Sequence, residues 1–204
     1  MKLWDDFVRL IRIVERNMKP QQRKKLHLGC LEGVIIMIYA IADLHFGHEN
    51  IIKYCNRPFL SVEAMDAALI DNWNKTVGVE DDIYILGDLT VQRGEAVERL
   101  LEQLHGRKYL VRGNHDYFAN DYHGTQLQWI KDYYEMDIGK KQFVLCHYPF
   151  VEWNGQKHGA YHLHGHQHNR PDYNLRQKKE SLRRYDVGVD ANGFTPVRID
   201  NLAD

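Results

Sequence analysis

Five short apolar runs along this chain stop abruptly at polar turns carrying Asp, His or Asn. Ile38-Tyr39-Ala40-Ile41-Ala42 leads into Asp43-Leu44-His45, and Ile83-Tyr84-Ile85-Leu86 into Gly87-Asp88. Tyr109-Leu110-Val111 leads, through Arg112, into Gly113-Asn114-His115-Asp116. Phe143-Val144-Leu145-Cys146 ends at His147, and Tyr161-His162-Leu163-His164 at Gly165-His166-Gln167-His168. Runs of this length, rich in Ile, Val and aromatics, predict buried strands. Helical periodicity separates the first three. Over 64–73 it falls on Met65, Ala68, Leu69 and Trp73, with Ser61 as N-cap. Over 95–104 it falls on Ala96, Val97, Leu100, Leu101 and Leu104, with Gly106 as the stop. Strand, helix, strand, helix, strand predicts an α/β domain. Residues 117–128 read as a polar, aromatic loop. The chain beyond Phe143 reads as short strands and loops, including Tyr185-Asp186-Val187-Gly188-Val189 and Val197-Arg198-Ile199.

The first 36 residues have a different pattern. Trp4, Phe7, Val8, Ile11, Val14 and Met18 recur at helical spacing among Arg9, Arg12, Arg16 and Lys19, and Pro20 ends the pattern. This stretch carries 8 Lys/Arg against 4 Asp/Glu, whereas the rest carries 19 against 24. The expected organisation is an N-terminal extension over 1–36, helical or partly disordered, and one domain over 37–204. The extension reads first as an amphipathic helix, and second as a membrane-surface or partner helix. It also reads as sequence upstream of a start at Met37. The apolar run 34–42 has only nine residues, too short to span a bilayer, and no signal-peptide cleavage pattern precedes it.

Composition narrows the chemistry. A chain of 204 residues with 44% apolar content can bury a real core. Net charge is −1, so no strongly basic surface advertises a nucleic acid. The three cysteines, Cys30, Cys55 and Cys146, are widely spaced and form no CxxC, so neither a thiolate zinc site nor a disulfide framework is suggested. A reducing, cytoplasmic location is expected. Histidine stands out: there are 12, and His158, His162, His164, His166 and His168 crowd one segment. Clustered imidazoles indicate metal.

Asp43, His45, Asp88, Asn114, His147, His166 and His168 together offer carboxylate, imidazole and amide donors, a set for Mn²⁺, Fe²⁺ or Zn²⁺. Seven donors exceed one tetrahedral site and suit two ions sharing a carboxylate, about 3.5–4 Å apart. If Asp43 to His45 and His166 to His168 were extended, alternate side chains would face one way and meet the same ions.

The order Asp-x-His, Gly-Asp, Gly-Asn-His-Asp, His, Gly-His-x-His, from Asp43 to His168, resembles the calcineurin-like metallophosphoesterase superfamily. It is most similar to the small single-domain bacterial and phage members. Leu44 to Asn50, His147-Tyr148-Pro149-Phe150 and Val187-Gly188-Val189-Asp190-Ala191-Asn192-Gly193 strengthen the likeness. The resemblance implies two packed mixed β-sheets flanked by helices, a four-layer αββα sandwich. It implies one ion held by Asp43, His45 and His168, another by Asn114, His147 and His166, and Asp88 bridging them. Manganese is the expected metal, with iron, zinc or nickel as alternatives. A bridging hydroxide would attack phosphorus in line, and His115 would protonate the leaving alkoxide. The implied substrate is a small or nucleotide-like phosphoester, with diesters favoured. In one place the chain departs from the phosphatase branch. That branch has an Asp after Gly-Asp that orients the catalytic His, whereas here Leu89-Thr90-Val91-Gln92-Arg93 follows, without a carboxylate. This argues against protein-phosphatase activity.

The remaining histidines have plainer readings. His162 and His164 are expected behind the ligands or in strand packing, and His48 either reaches substrate or braces its loop. His27, His105 and His123 look ordinary. Arg112 reads as a phosphate contact or an ion pair, and Arg93 as a phosphate contact. Trp129, Tyr133 and Tyr134 read as a helical core face rather than a base-stacking platform, and Cys146 as buried. Pocket walls are expected from loops 120–126 and 152–159. Three other functions compete. A nuclease on the same scaffold would need a basic groove, and the acidic balance after Met37 opposes it. A non-catalytic interaction module would have lost ligands that are present here. A β-lactamase-type zinc hydrolase needs His-x-His-x-Asp-His, which is absent.

Overall fold

The computed structural model describes residues 36–202, so the expected helix within 1–36 lies outside the described residues. Strand β1 (Ile38–Ile41) is followed by helix α1 (Glu49–Tyr54) and helix α2 (Val62–Thr76). Next come β2 (Asp82–Ile85), α3 (Glu95–Glu102) and β3 (Arg107–Val111). A 3-10 turn (Tyr117–Asn120) leads to β4 (Leu127–Lys131). The second half runs β5 (Tyr134–Ile138), β6 (Lys141–Leu145), β7 (Tyr161–His164), α4 (Asp172–Lys179), β8 (Arg184–Asp186), β9 (Val197–Arg198) and α5 (Ile199–Leu202).

Two mixed sheets result. The first has the order β4-β3-β2-β1-β9, parallel throughout except for β9. The second has the order β5-β6-β7-β8, with β6, β7 and β8 parallel and β5 antiparallel. Parallel alignment brings the carboxyl ends of β1, β2 and β3 to one edge and those of β6, β7 and β8 to one edge. The two sheets meet there, where Ala42 pairs with Gly188 just beyond β1 and β8.

Strand alternation explains the layers. Ile41, Ile83, Ile85 and Leu110 face Met65, Leu69 and Trp73 of α2 and Val97 and Leu101 of α3. Ala40, Ala42, Leu86 and Val111 face the other way, onto Phe143, Leu145, Tyr161, Leu163 and Val187 of the second sheet. The outer face of that sheet carries Val144 with Trp153 and Ala160, and His164 meets Tyr173 of α4 there. Helix, sheet, sheet, helix is the expected architecture. Among the described residues, no helix is long and apolar enough to cross a membrane.

Local expectations fare unevenly. Ser61 caps α2, its Oγ accepting from Ala64 N at 3.2 Å. Helix α3 ends at Glu102, and Gly106, at φ +84°, turns the chain into β3 instead of capping the helix. Trp129 and Tyr134 lie in strands, not in a helix; Tyr134 stacks on Tyr84, and Trp129 packs at a tilt against Tyr84, Tyr109 and Tyr134. Tyr133, between the two strands, is exposed rather than core. Helix α4 has no apolar stripe to reveal it; it buries only Tyr173 and Gln177.

His162 and His164 point to the outer face of β7, away from the edge where the ligand motifs meet. His162 stacks on Phe150 at 4.9 Å, its Nδ1 donates to Val144 O (3.1 Å), and its Nε2 accepts from Phe150 N (3.0 Å). Nε2 also lies 3.2 Å from Tyr148 O, and burial, which outweighs both carbonyls, pushes the pKa of the ring down to about 4. An unfolded chain protonates the same ring near pH 6.5, so this contribution is complete above pH 6.5 and fades as pH falls towards 4. In urea unfolding with chelator present, wild type should lose about 2–3 kcal/mol more than His162→Gln between pH 7 and pH 4. Parallel pH profiles for the two proteins would contradict this assignment.

Candidate metal centre

The five apolar runs deliver their terminal residues to one place through turns. Asp43 (φ +58°), His45 (φ +55°), Asp88 (φ +55°), His166 (φ +71°) and His168 (φ +48°) all adopt the left-handed conformation. The expectation that Asp43 to His45 and His166 to His168 are extended is therefore overturned. Each pair still converges, because Asp and His tolerate this conformation better than most residues and a turn aims both side chains inward. Bends of this kind cost energy and persist only where surrounding bonds hold them.

Those bonds are visible. Asp43 N and His45 N donate to Gly87 O and Asp88 O at 3.0 and 2.9 Å, lashing the first loop to the second. The Asp116 carboxylate accepts from the backbone N–H of Asp88, Leu89 and Gly113, each at 2.8 Å, lashing the second to the third. His166 N donates to Asp43 Oδ1 at 3.0 Å, which ties in the loop after β7. The approach of the second and third loops requires glycine. A Cβ on Gly113 would stand 2.3 Å from Asp88 Oδ1, and one on Gly87 2.4 Å from His147 Nδ1.

The inward-facing atoms are acceptors. His147 Nδ1 donates to Leu86 O at 2.8 Å, so its Nε2 presents a lone pair. That lone pair faces Asn114 Oδ1 at 3.0 Å and Asp88 Oδ2 at 3.5 Å. His166 Nδ1 lies 3.0 Å from the same Asn114 oxygen. His45 Nε2 lies 3.4 Å from Asp88 Oδ2. Asp43 Oδ2 and both His45 nitrogens are buried without a hydrogen-bond partner. Burial pushes the His45 pKa down to about 2 and lowers that of His147, so both rings are neutral and ready to ligate. Donor atoms of Asp43, His45 and His168 lie within 4.8 Å of one another, as do those of Asp43, Asp88 and His147. This set fits divalent ions: hard and borderline donors, no thiolate among the seven, and facing lone pairs that a cation would relieve. All seven predicted ligands come together, as two groups meeting at Asp43 and Asp88.

His115 borders the cluster. Its backbone N donates to Asp88 Oδ1 at 2.8 Å, and its ring lies 5.2 Å from His45 and 6.3 Å from His48. Thr90, in the stretch where a carboxylate is absent, donates to Phe46 O at 2.9 Å. Arg112 is bonded to Asp132 (2.9 Å) and Asn120 (2.8 Å), so its ion-pair reading holds. Loops 120–126 and 152–159 line clefts without any of the seven ligands.

Sequence reasoning missed the supports. His168 Nδ1 is bonded to Asp190 Oδ2 at 2.7 Å, and Arg57 grips that carboxylate through Nε (2.9 Å) and Nη2 (2.8 Å). The same buried guanidinium donates to Asp43 O and Leu44 O at 2.7 and 3.0 Å. Asp190 lay inside a quoted motif without a role, and nothing in the sequence around Arg57 marks it. Asp116, inside the quoted Gly113-Asn114-His115-Asp116 stretch, was likewise given no role.

The family model for calcineurin-like phosphoesterases matches residues 36–191. The chain belongs to the calcineurin-like phosphoesterase family. It is 37% identical over 168 residues to an uncharacterised protein of Methanocaldococcus jannaschii, covering 80% of this chain and 87% of that one. It is 29% identical over 182 residues to the gene 66 protein of Mycobacterium phage D29, covering 76% and 88%. A solved protein of unknown function from Aquifex aeolicus shares the fold with a TM-score of 0.66 and 26% identity, covering 82% of this phosphoesterase and 97% of that chain.

In this phosphoesterase, Asp190 fixes the His168 ring and the nitrogen it presents. Loss of such a support typically lowers metal affinity 10–100-fold. Asp190→Asn should weaken Mn²⁺ binding by about that factor in calorimetric titration, whereas Arg112→Ala should leave it close to wild type. Equal Mn²⁺ affinity in wild type and Asp190→Asn would contradict the support role.

Proposed function

We propose that this phosphoesterase hydrolyses phosphodiesters using two divalent ions, manganese foremost, with iron, zinc or nickel compatible with the same donors. The observation that carries this reading is the convergence of unpaired and mutually facing acceptors around Asp88. Asp43, His45 and His168 would hold one ion, Asn114, His147 and His166 the other, and Asp88 both. When bound, the ions supply the Lewis acidity that lowers the pKa of a water for in-line attack on phosphorus and neutralises the phosphoryl oxygens.

The chain's own residues do the rest. The His115 ring donates its proton to the leaving alkoxide, and its backbone bond to Asp88 ties its position to the cluster. Asp190 and Arg57 hold His168 and the backbone of Asp43 in register. Diesters are favoured over monoesters on charge. A monoester brings a second negative charge, and the Arg57 and Arg112 guanidinia are already committed to Asp190 and Asp132. The free thiols Cys55 and Cys146 suit a reducing, cytoplasmic setting.

Protein stripped with chelator and reloaded with Mn²⁺ should hydrolyse bis(p-nitrophenyl) phosphate well above p-nitrophenyl phosphate, and the stripped protein neither. On a diester with an alkyl leaving group, where the departing alkoxide needs a proton, His115→Asn should lower kcat by about 10²–10⁴-fold while still binding Mn²⁺. Full activity in His115→Asn would remove it as the acid, and turnover only of polynucleotide would favour a nuclease.

A further inference from the structure

The second sheet has two edges. Its carboxyl edge leads into His147 and His166 of the candidate centre, and its amino edge, where β6, β7 and β8 begin, carries a different chemistry. Two clefts of about 520 and 500 Å³ open at that amino edge and share His158, Gly159 and Arg183. Lys140 and Lys141 line one and Lys157 the other, and among the described lining residues Asp137 is the one acid. This concentration of positive charge sits on a domain that is acidic as a whole, with 19 Lys/Arg against 24 Asp/Glu from Met37 on. Neither cleft includes a residue of the candidate centre. The length of β7, about 13 Å, lies between.

Arg183 is fixed in place although it is exposed. Its Nη1 donates to Gly159 O at 2.6 Å, and its guanidinium lies over the Tyr161 ring, 5.0 Å from the centroid. Neither partner is a carboxylate, so the charge is not neutralised there. A Cβ on Gly159 would stand 2.3 Å from Nη1, so this approach needs a glycine. Lys157 and His158 are presented on an equally braced turn, Gln156–His158. Left-handed Gly155 and Gly159 flank it, and Gly155 O accepts from His158 N at 2.8 Å and from Ala160 N at 3.0 Å. Trp153 Nε1 donates to Ala160 O at 2.9 Å. A guanidinium already held loses little further freedom on meeting an anion, and its planar fork matches phosphate oxygens. The first cleft and the second are lined mainly by polar atoms, which suits a hydrated anion and not an apolar ligand. A long nucleic acid would need a basic track extending well beyond them. We propose that this edge is a second binding site, separate from the metal centre, for a compact polyphosphate anion recognised through its phosphate oxygens. The proposal does not depend on which ester the metal centre cleaves.

The test uses the full chain stripped of metal with a chelator that is then dialysed away, so that no ion in the centre can recruit phosphate. Calorimetric titration with tripolyphosphate should show saturable binding, and chloride at the same ionic strength none. Arg183→Gln and Lys157→Ala should each weaken that binding about tenfold, whereas Arg112→Ala should bind as wild type does. Lys157→Ala removes only an exposed side chain and keeps the test decisive if Arg183→Gln does not fold. Adenosine triphosphate separates the two sources of such a phosphate chain. Affinity equal to that of tripolyphosphate, with none for adenosine, supports recognition of the phosphates alone. Binding of adenosine itself would overturn the proposal. So would silence with tripolyphosphate, or equal affinity in wild type, Arg183→Gln and Lys157→Ala, since the anion would then sit elsewhere.

Discussion

The candidate site rests on one electrostatic constraint: lone pairs that face each other across a buried space repel unless a cation or a proton lies between them. His147 illustrates it most simply. Its Nδ1 proton is given to Leu86 O, so Nε2 can only accept, and what it confronts are oxygens of Asn114 and Asp88. A proton could relieve one such contact. At His45 and His147 burial disfavours the charged imidazole, so at those two rings a metal ion answers the facing acceptors better than a proton does. The arrangement makes physical sense as the lining of a candidate cation site.

Holding repelling groups together requires a frame stronger than the repulsion. Parallel strands supply the coarse part, since each sheet ends several strands at the same edge and Ala42 and Gly188 join the two edges. Two buried side chains supply the fine part. Asp116 gathers three backbone N–H groups from two loops, and Arg57 gathers two backbone carbonyls and a carboxylate from two others. Both satisfy several backbone groups at once, so each loop is fixed by its neighbours. Five left-handed Asp and His residues are tolerable in such a lattice and would relax without it.

What the sequence disclosed follows the same division. The strands were legible because their apolar runs are short, buried and bounded, and the ligand motifs because they sit where those runs stop. Helix α2 was legible from its periodicity and its Ser61 cap. Helix α4 was not, because a polar helix covering one edge leaves no stripe. The aromatic run around Trp129 has spacing that fits a helix as well as a strand turn, and only packing against Tyr84 and Tyr109 decides for strands. The supports Arg57 and Asp190 lie 133 residues apart, and local patterning cannot report a bond across that separation.

The histidine-rich segment shows why periodicity has to be followed up to its break. His162, His164, His166 and His168 are evenly spaced, and an unbroken strand would aim all four the same way. The strand ends at His164. Gly165 lies against Ala42 and Asp43, leaving no room for a side chain, and His166 then takes φ +71°. The first two imidazoles therefore pack on Phe150 and Tyr173, while the last two turn towards Asn114 and Asp190. One glycine divides packing histidines from candidate ligands. The same glycine allows Asp43 to reach the backbone of His166, so the division of roles and the closing of the site are one event in the chain.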